Sequence, residues 1–147
     1  MAITRFAEAT WKGDLIHGSG TIDSVSSGAF SGLPVTWASR TEEHDGRTSP
    51  EELVASAHAA CFSMAFSSGL AKNGTPATKL EVKAVVTFDK TDAGWKITRS
   101  DLTVRGTVDG IDAAKFAELA DAAKEGCPIS SALKGNVALG VDAELVW

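Results

Sequence analysis

The sequence predicts an α+β domain built on antiparallel sheet, and three observations lead to this prediction. The predicted elements follow the order strands, helix, two strands, helix, strand, which favours antiparallel sheet over an alternating parallel one. Apolar and more polar residues alternate over residues 80–88, as in a half-buried strand. A long uncharged helix begins near Ser49 with a strong start signal. With 147 residues, the chain is long enough to bury a core, and we expect residues 1–147 to form a single domain.

The N-terminal third predicts short strands that are separated by turns containing glycine. The predicted strands cover residues 6–11, 20–25 and 35–39. A loop rich in charged residues, 41–48, then leads into the long helix.

The long helix is predicted over residues 49–72. Ser49 at the N-cap and Glu52 three residues later form a capping box, with Pro50 at the first helical position. Its predicted apolar stripe places Cys61 against packed protein and consists of Leu53, Ala57, Ala60, Cys61 and Met64.

Residues 53–71 contain no Asp, Glu, Lys or Arg, and this stretch approaches the length of a membrane span. Its several serines and His58 make it too polar for that role, so a helix buried in protein is the better interpretation. One small sheet covers only one side of such a helix. We therefore expect a homodimer in which a second copy covers the other side.

The remaining elements follow from alternation and from turn residues. After the strand at 80–88, Asp92-Ala93-Gly94 predicts a hairpin turn into a second strand, whose apolar phase slips near residues 99–101 and predicts a bulge. An amphipathic helix over 112–125 is expected to stop at Gly126. A helical turn at 128–133 and a closing strand at 137–145 complete the chain.

The net charge, the N-terminal residues and the number of cysteines argue against several classes of protein. The net charge of −5 is spread without basic clusters, which argues against nucleic acid and anionic membranes as partners. Residues 1–10 carry no secretory signal, and two cysteines are too few for a secreted disulfide framework. We expect a reducing, cytoplasmic location.

The two cysteines are the first candidates for chemistry, as a redox thiol pair. Cys61 lies in the uncharged helix, where desolvation disfavours the reactive thiolate, so a buried cation has to compensate. Arg40 is the candidate cation, and Glu51 is the carboxylate that can hold it, because Glu52 is needed for the capping box. The purely structural alternatives are that Cys61 is a buried cysteine acting as a small hydrophobe and that Arg40 and Glu51 form an ordinary salt bridge.

Cys127 lies between Gly126 and Pro128, at the N-cap of the following helical turn. Backbone N–H groups and the helix dipole at such a position lower the pKa of a thiol. The alternative is a buried residue at a tight connection. Sequence spacing alone leaves open whether the two sulfurs meet.

Histidines offer two further hypotheses. His58 lies one turn before Cys61, which suggests a Cys/His nucleophile pair. The favoured interpretation is a histidine packed inside a dimer or in the wall of a pocket. A zinc site would need both cysteines and two of the three histidines, and none of these residues has metal-ligand spacing. We expect no metal.

Three segments carry a resemblance to a known family: TSPEEL at 48–53, AHAACFSM at 57–64 and GCPIS at 126–130. The chain closely resembles the OsmC/Ohr family of hydroperoxide reductases, and the OsmC branch in particular. The resemblance extends to WKGD at 11–14 and DAGW at 92–95 and so covers nearly the whole chain.

The resemblance implies antiparallel sheets around a long central helix in an intertwined, swapped homodimer, and a peroxidase without cofactor or metal. Cys61 would be the peroxidatic thiolate and Cys127 the resolving residue, joined to it in an intramolecular disulfide. Arg40 and Glu51 match the arginine and glutamate of the OsmC branch. The implied substrates are organic hydroperoxides and, less efficiently, hydrogen peroxide, in oxidative-stress defence. The implied reductant is a lipoyl or other small dithiol ahead of thioredoxin.

Two alternatives remain open at this point. A binding or sensing module could use the same cysteine pair to report oxidation without catalytic turnover. A hydrolase could use Cys61 with His58, in which case Cys127 would be dispensable.

Overall fold

The computed structural model describes residues 1–147 and contains six strands and four helices. In chain order these are β1 (Ala7–Lys12), β2 (Ser19–Val25), β3 (Ser31–Val35), α1 (Ala38–Thr41), α2 (Pro50–Lys72), β4 (Lys79–Thr91), β5 (Gly94–Thr107), α3 (Ala113–Gly126), α4 (Pro128–Leu133) and β6 (Ala138–Val146). The α+β class is confirmed. The chain forms two compact units, Met1–Leu53 and Val54–Trp147, and its treatment as one domain stays a prediction.

The first unit is built on an antiparallel sheet with the strand order β1-β2-β3. Gly20 in β2 pairs with Trp11 on one side and with Val35 on the other. A Cβ atom at Gly20 would lie 2.6 Å from Trp11 Cε3 and 3.0 Å from Val35 Cγ2. Only glycine therefore fits at the middle of this sheet.

The third predicted strand, at 35–39, was wrong in position. The strand is β3, at Ser31–Val35, and the chain turns into α1 directly afterwards. Thr36 and Ser39 explain the turn, because the backbone N–H of each donates to the side-chain oxygen of the other at 3.1 Å. This reciprocal bonding is that of a capping box, and it competes with extension of the strand.

Helix α2 begins as the sequence predicted. The backbone N–H of Glu52 donates to Ser49 Oγ at 3.1 Å, and Thr48 Oγ1 donates to Glu52 Oε1 at 3.0 Å. By length and composition alone this is a helix that could cross a membrane, a test that core helices of soluble proteins also pass.

The face of α2 that packs inward differs from the predicted stripe. The fully buried residues are His58, Phe62, Phe66 and Leu70, whereas Ala57, Ala60 and Met64 are exposed, Met64 at 68%. Apolar residues occur all round this helix, so periodicity could not select a face. The two phenyl rings select it, because they bury the most apolar area. Cys61 lies at the edge of this face, half-buried and packed against the core.

The second sheet has the order β4-β5-β6. Thr87 pairs with Arg99 and Phe88 with Ile97, so Thr98 is an extra residue on β5, which confirms the predicted bulge slightly earlier in the chain. β6 pairs with β5 in parallel, which corrects the prediction of purely antiparallel sheet. The reason is the connection, because α3 and α4 carry the chain back to the starting end of β5 before β6 begins.

Helix α3 is the amphipathic helix that the sequence predicted. Asp112 caps it by accepting from the backbone N–H of Lys115 at 2.7 Å. Phe116, Ala120 and Ala123 are buried, and the Phe116 ring lies 4.9 Å from that of Phe66. The core of the second unit thus joins α2 to α3, which fixes the segment that carries Cys127.

Candidate active site

The two cysteines lie together in the second unit. Cys61 is on α2 and half-buried, whereas Cys127 is fully buried between α3 and α4. Both are free thiols, and the side chain of each lies close enough to the other to shift its pKa. The structure therefore answers the question that sequence spacing left open, because the fold makes the two thiols neighbours.

Cys127 is fixed by the junction of two helices. Its backbone N–H donates to Ala123 O at 2.9 Å and so closes α3, and its carbonyl accepts from Ser131 N at 2.9 Å in the first turn of α4. Its extended backbone, with φ −66° and ψ 128°, is the conformation that a following proline favours. Pro128 at the start of α4 thus holds Cys127 at the predicted N-cap position.

The thiol pKa values shift in opposite directions. Burial raises the pKa of the Cys61 thiol, and its hydrogen bond with Cys127 raises it further, against a smaller lowering by the backbone of Ile129. Burial also acts to raise the pKa of Cys127, but contacts with Cys61, with the backbone and hydroxyl of Ser130 and with the backbone of Ile129 hold it below its usual value. The sequence predicted that burial would disfavour the thiolate of Cys61, and the raised pKa confirms this.

Arg40 and Glu51 form the predicted ion pair in the first unit. Arg40 Nη2 lies 2.6 Å from Glu51 Oε1, and Arg40 Nε lies 3.2 Å from each carboxylate oxygen. The Glu51 side chain is 9% exposed and that of Arg40 28%. The Arg40 guanidinium also lies 5.5 Å from the centre of the Trp37 ring. Arg40 belongs to α1 rather than to a strand end, and its role towards a thiolate stays a prediction.

His58 is hydrogen-bonded to two serines and not to Cys61. Its Nδ1 lies 2.7 Å from Ser100 Oγ and its Nε2 lies 2.8 Å from Ser130 Oγ, so both ring nitrogens have serine partners. His58 and both serines are at most 1% exposed. Burial lowers the pKa of His58 and favours the neutral ring. The favoured interpretation of a packed histidine agrees with this arrangement.

Sequence reasoning missed Ser100 and Ser130. Ser100 has a detectable signal, because it shares the inward phase of β5 with Leu102 and Val104 and is polar among apolar neighbours. Ser130 is the third residue of α4, where its hydroxyl reaches both His58 and Cys127. No group of three or more His, Cys, Asp or Glu side chains is placed to hold a metal ion.

Two contacting thiols, one of them at the start of a helix, define a candidate thiol redox protein. A family model described as OsmC-like protein matches residues 43–142, and the chain belongs to this family. The resemblance found in the sequence is thereby confirmed.

Individual relatives agree with this assignment. The chain is 42% identical over 139 residues to the peroxiredoxin OsmC of Escherichia coli (strain K12), covering 95% of this chain and 96% of that protein. It is 37% identical over 92 residues to the organic hydroperoxide resistance protein OhrB of Bacillus subtilis (strain 168), covering 61% and 65%. The crystal structure of OhrB of Bacillus subtilis superposes with a TM-score of 0.73 at 26% identity, over 95% of this chain and 98% of that one. The predicted OsmC/Ohr fold is confirmed.

The buried neutral His58 predicts a specific dependence of stability on pH. Because the folded-state pKa of His58 lies below its usual value of 6.5, the unfolded chain takes up a proton that the folded chain refuses. This contribution to stability is complete above pH 6.5 and is lost as the pH falls towards the lowered folded pKa. Urea unfolding should show a decline of up to about 1.4 kcal/mol per pH unit from this proton.

The matched comparison uses two histidine substitutions. His58→Asn should remove this part of the pH slope, whereas His44→Asn, at an exposed loop position, should keep it. An unchanged slope in His58→Asn below pH 6.5 would contradict a buried neutral ring.

Proposed function

We propose that this protein is a thiol-dependent peroxidase that reduces organic hydroperoxides. The observation that carries the proposal is the contact between the free thiols of Cys61 and Cys127. Membership of the OsmC-like family and the relatives named peroxiredoxin and organic hydroperoxide resistance protein support the same activity. Its role is defence against oxidative stress.

In the first step Cys61 is the nucleophile. Its thiolate attacks one oxygen of the peroxide, the O–O bond breaks, and the other oxygen leaves as alkoxide and takes a proton to become an alcohol. The Cys61 sulfur is oxidised by two electrons to a sulfenic acid. Its half-buried position supports this order, because Cys127 is fully buried and less accessible to a substrate.

In the second step Cys127 resolves the sulfenic acid. The Cys127 sulfur attacks Cys61, the S–O bond breaks, and the released hydroxide leaves as water with the proton from Cys127. An external dithiol then donates two electrons by thiol–disulfide exchange and restores both thiols. We propose a lipoyl or other small dithiol as this reductant, ahead of thioredoxin, and a reducing compartment such as the cytoplasm.

Arg40 is the proposed cation for the first thiolate. Burial raises the pKa of Cys61, so a fixed positive charge is required for its thiolate to form near neutral pH. An arginine keeps its charge when partly buried, and the fork of contacts with Glu51 fixes the guanidinium plane. Glu51 is then a positioning residue for Arg40.

The substrate preference is proposed on chemistry alone. Organic hydroperoxides and hydrogen peroxide share the O–O bond that the thiolate breaks. Apolar surroundings of Cys61, with packing against the core of the second unit, favour substrates that carry hydrocarbon. We therefore expect hydrogen peroxide to react less efficiently.

A homodimer is the proposed assembly, and the outward face of α2 supports it. Ala57, Ala60 and Met64 form an exposed, uncharged stripe along this helix, continued by Ser67 and Ala71. An exposed, uncharged and largely apolar stripe of this length marks an interaction surface. A second copy presents the same stripe, and α2 packed against its counterpart gives a self-complementary contact. The resemblance to the family implies exchange of elements between the two copies.

The cysteine roles are tested by steady-state turnover of cumene hydroperoxide and hydrogen peroxide with dihydrolipoamide. The wild type should turn over many times, and Cys61→Ser should abolish consumption. Cys127→Ser should react with peroxide but become overoxidised at Cys61 under peroxide excess, because no thiol captures the sulfenic acid. These are the only two cysteines, so no other thiol confuses the comparison.

Other outcomes of this assay favour other functions. One stoichiometric oxidation without turnover would overturn the enzyme proposal and favour a sensor that reports oxidation. Consumption that survives in Cys61→Ser would remove Cys61 from the mechanism.

The role of Arg40 is tested by conservative substitution. Arg40→Lys keeps the charge but loses the fork on Glu51, and kcat/KM for cumene hydroperoxide should fall about 100-fold. Glu51→Gln should give a smaller loss in the same direction. Arg47→Lys is the matched control, because Arg47 pairs with exposed Asp45 in a loop and should keep full activity. Full activity in Arg40→Lys would contradict the proposed role.

The dimer is tested by sedimentation equilibrium. Met64→Lys places a charge in the proposed interface and should weaken self-association by about 100-fold or more. Ala117→Lys adds the same charge at an exposed position of α3 and should leave the dimer intact. A wild-type protein that sediments as a monomer, or a Met64→Lys dimer of unchanged affinity, would overturn the proposal.

A further inference from the structure

A buried row of polar groups leads from the sheet to the cysteine pair. It starts at Ser100 on β5, passes through both nitrogens of His58 on α2 and reaches Ser130 on α4, with separations of 2.7 and 2.8 Å. The Ser130 hydroxyl also contacts the Cys127 side chain. Ser100, His58, Ser130 and Cys127 thus form one connected polar row in the second unit.

This row lies in an otherwise apolar core. All four side chains are at most 1% exposed, and β4 and β6 place Val86 and Leu139 beside Ser100. Burying three polar side chains is costly unless each hydrogen bond is made. No buried side-chain nitrogen or oxygen lacks a partner, so the row is fully satisfied.

Hydrogen-bond accounting determines the direction of the hydrogens. Ser100 Oγ has His58 Nδ1 as its side-chain partner. If Nδ1 carried the proton, the hydroxyl hydrogen of Ser100 would be buried without an acceptor, which costs about 1–3 kcal/mol. The arrangement that uses every hydrogen has Ser100 Oγ–H donating to Nδ1 and the ring proton on Nε2.

The direction then continues to Cys127. With its proton on Nε2, His58 donates to Ser130 Oγ, and the Ser130 hydroxyl hydrogen is left to point at the Cys127 sulfur. A hydroxyl that donates to sulfur stabilises the thiolate over the thiol. In the opposite arrangement Ser130 would donate to His58 and could only accept from Cys127.

The groups that act on the Cys127 thiol come from α2 and α4. Cys61 is the titratable group that α2 presents to Cys127, and α4 presents backbone groups of Ile129 and Ser130. On α3, the charged side chains next to Cys127 in sequence are Lys124 and Glu125, which pair with each other and with Asp121 and Lys134.

We propose that His58 is a positioning residue for disulfide formation: through Ser130 it holds a hydroxyl hydrogen towards Cys127 and favours the thiolate that attacks oxidised Cys61. The proposal rests on the peroxidase function above and adds a residue to its second step. His58 stays neutral, and its proton is not transferred. The proton of Cys127 leaves with the hydroxide from the Cys61 sulfenic acid as water, as written above.

The first experiment titrates Cys127 by the ultraviolet absorbance of its thiolate in a Cys61→Ser background. Ser130→Ala and His58→Gln should both raise the pKa of Cys127. Ser100→Ala should raise it as well, although Ser100 contacts His58 and not Cys127, because the preference for the Nε2 proton is lost. Ser131→Ala is the control on the exposed side of α4 and should leave the titration unchanged.

The second experiment follows the two chemical steps separately, with both cysteines present. Samples mixed with cumene hydroperoxide are quenched in acid, and mass spectrometry measures Cys61 oxidation and Cys61–Cys127 disulfide against time. Ser130→Ala and Ser100→Ala should oxidise at Cys61 at the wild-type rate and then form the disulfide about tenfold more slowly. The serine variants carry the test if His58→Gln does not fold.

The outcomes separate this inference from the function on which it rests. If Cys61 of the wild type does not react with peroxide, the peroxidase proposal fails. If Cys61 reacts, but Ser100→Ala and Ser130→Ala titrate and form the disulfide as the wild type does, the role of His58 alone is overturned. A shift in Ser130→Ala without one in Ser100→Ala would also overturn it, because Ser130 would then act without His58.

Discussion

The contact between the sulfurs of Cys61 and Cys127 is the interaction on which the rest of the account depends. It exists because α2 and α3 share one core, through rings such as Phe66 and Phe116, and because α3 stops at the residue before Cys127. Pro128 then starts α4 and fixes the backbone of Cys127 in an extended conformation. Two residues far apart in sequence are thereby held next to each other before any substrate arrives. Such preorganisation removes the entropic cost of bringing a resolving thiol to a sulfenic acid.

The same burial that shapes this contact also opposes the chemistry. Removing Cys61 from water raises the pKa of its thiol, although only the thiolate attacks a peroxide. The proposed mechanism therefore requires positive charge at the first sulfur and hydrogen-bond donors at the second. Arg40, held by Glu51, is the proposed source of the charge, and the Ser130 hydroxyl with the first backbone groups of α4 supplies the donors to Cys127. A neutral His58 suits this arrangement, because a charged ring in the core would lack a counter-ion.

Local signals predicted the elements that depend on local chemistry. The N-cap at Ser49, which accepts from the backbone N–H of Glu52, and the bulge in β5 formed within a few residues of their predicted positions. Features set by distant contacts were not predictable in the same way. The inward face of α2 was wrong because an all-round apolar helix takes its orientation from the partner core, and the parallel pairing of β6 follows from a crossover that no local pattern encodes.

The residues of the candidate site also divide into those that the sequence indicated and those that only the fold reveals. The sequence indicated Cys61 and Cys127 as its only two thiols, Arg40 because it lies just before the loop that leads into the long helix, and Glu51 because the capping box uses Glu52. Ser100 and Ser130 were missed because serine is common, and their meaning comes only from His58, which lies between them. A polar residue on the inward face of a strand, such as Ser100 on the same face as Leu102, is the sequence signal that points to this site.

The central claim is that peroxide oxidises Cys61 and that Cys127 captures the product. The most direct measurement is a peptide map of the protein after one equivalent of cumene hydroperoxide, with thiols alkylated under denaturing conditions. The account predicts a loss of two hydrogen atoms from the intact chain and a disulfide that joins the peptides containing Cys61 and Cys127. Two fully alkylated cysteines, or oxidation confined to Cys127 with Cys61 left as a free thiol, would contradict it.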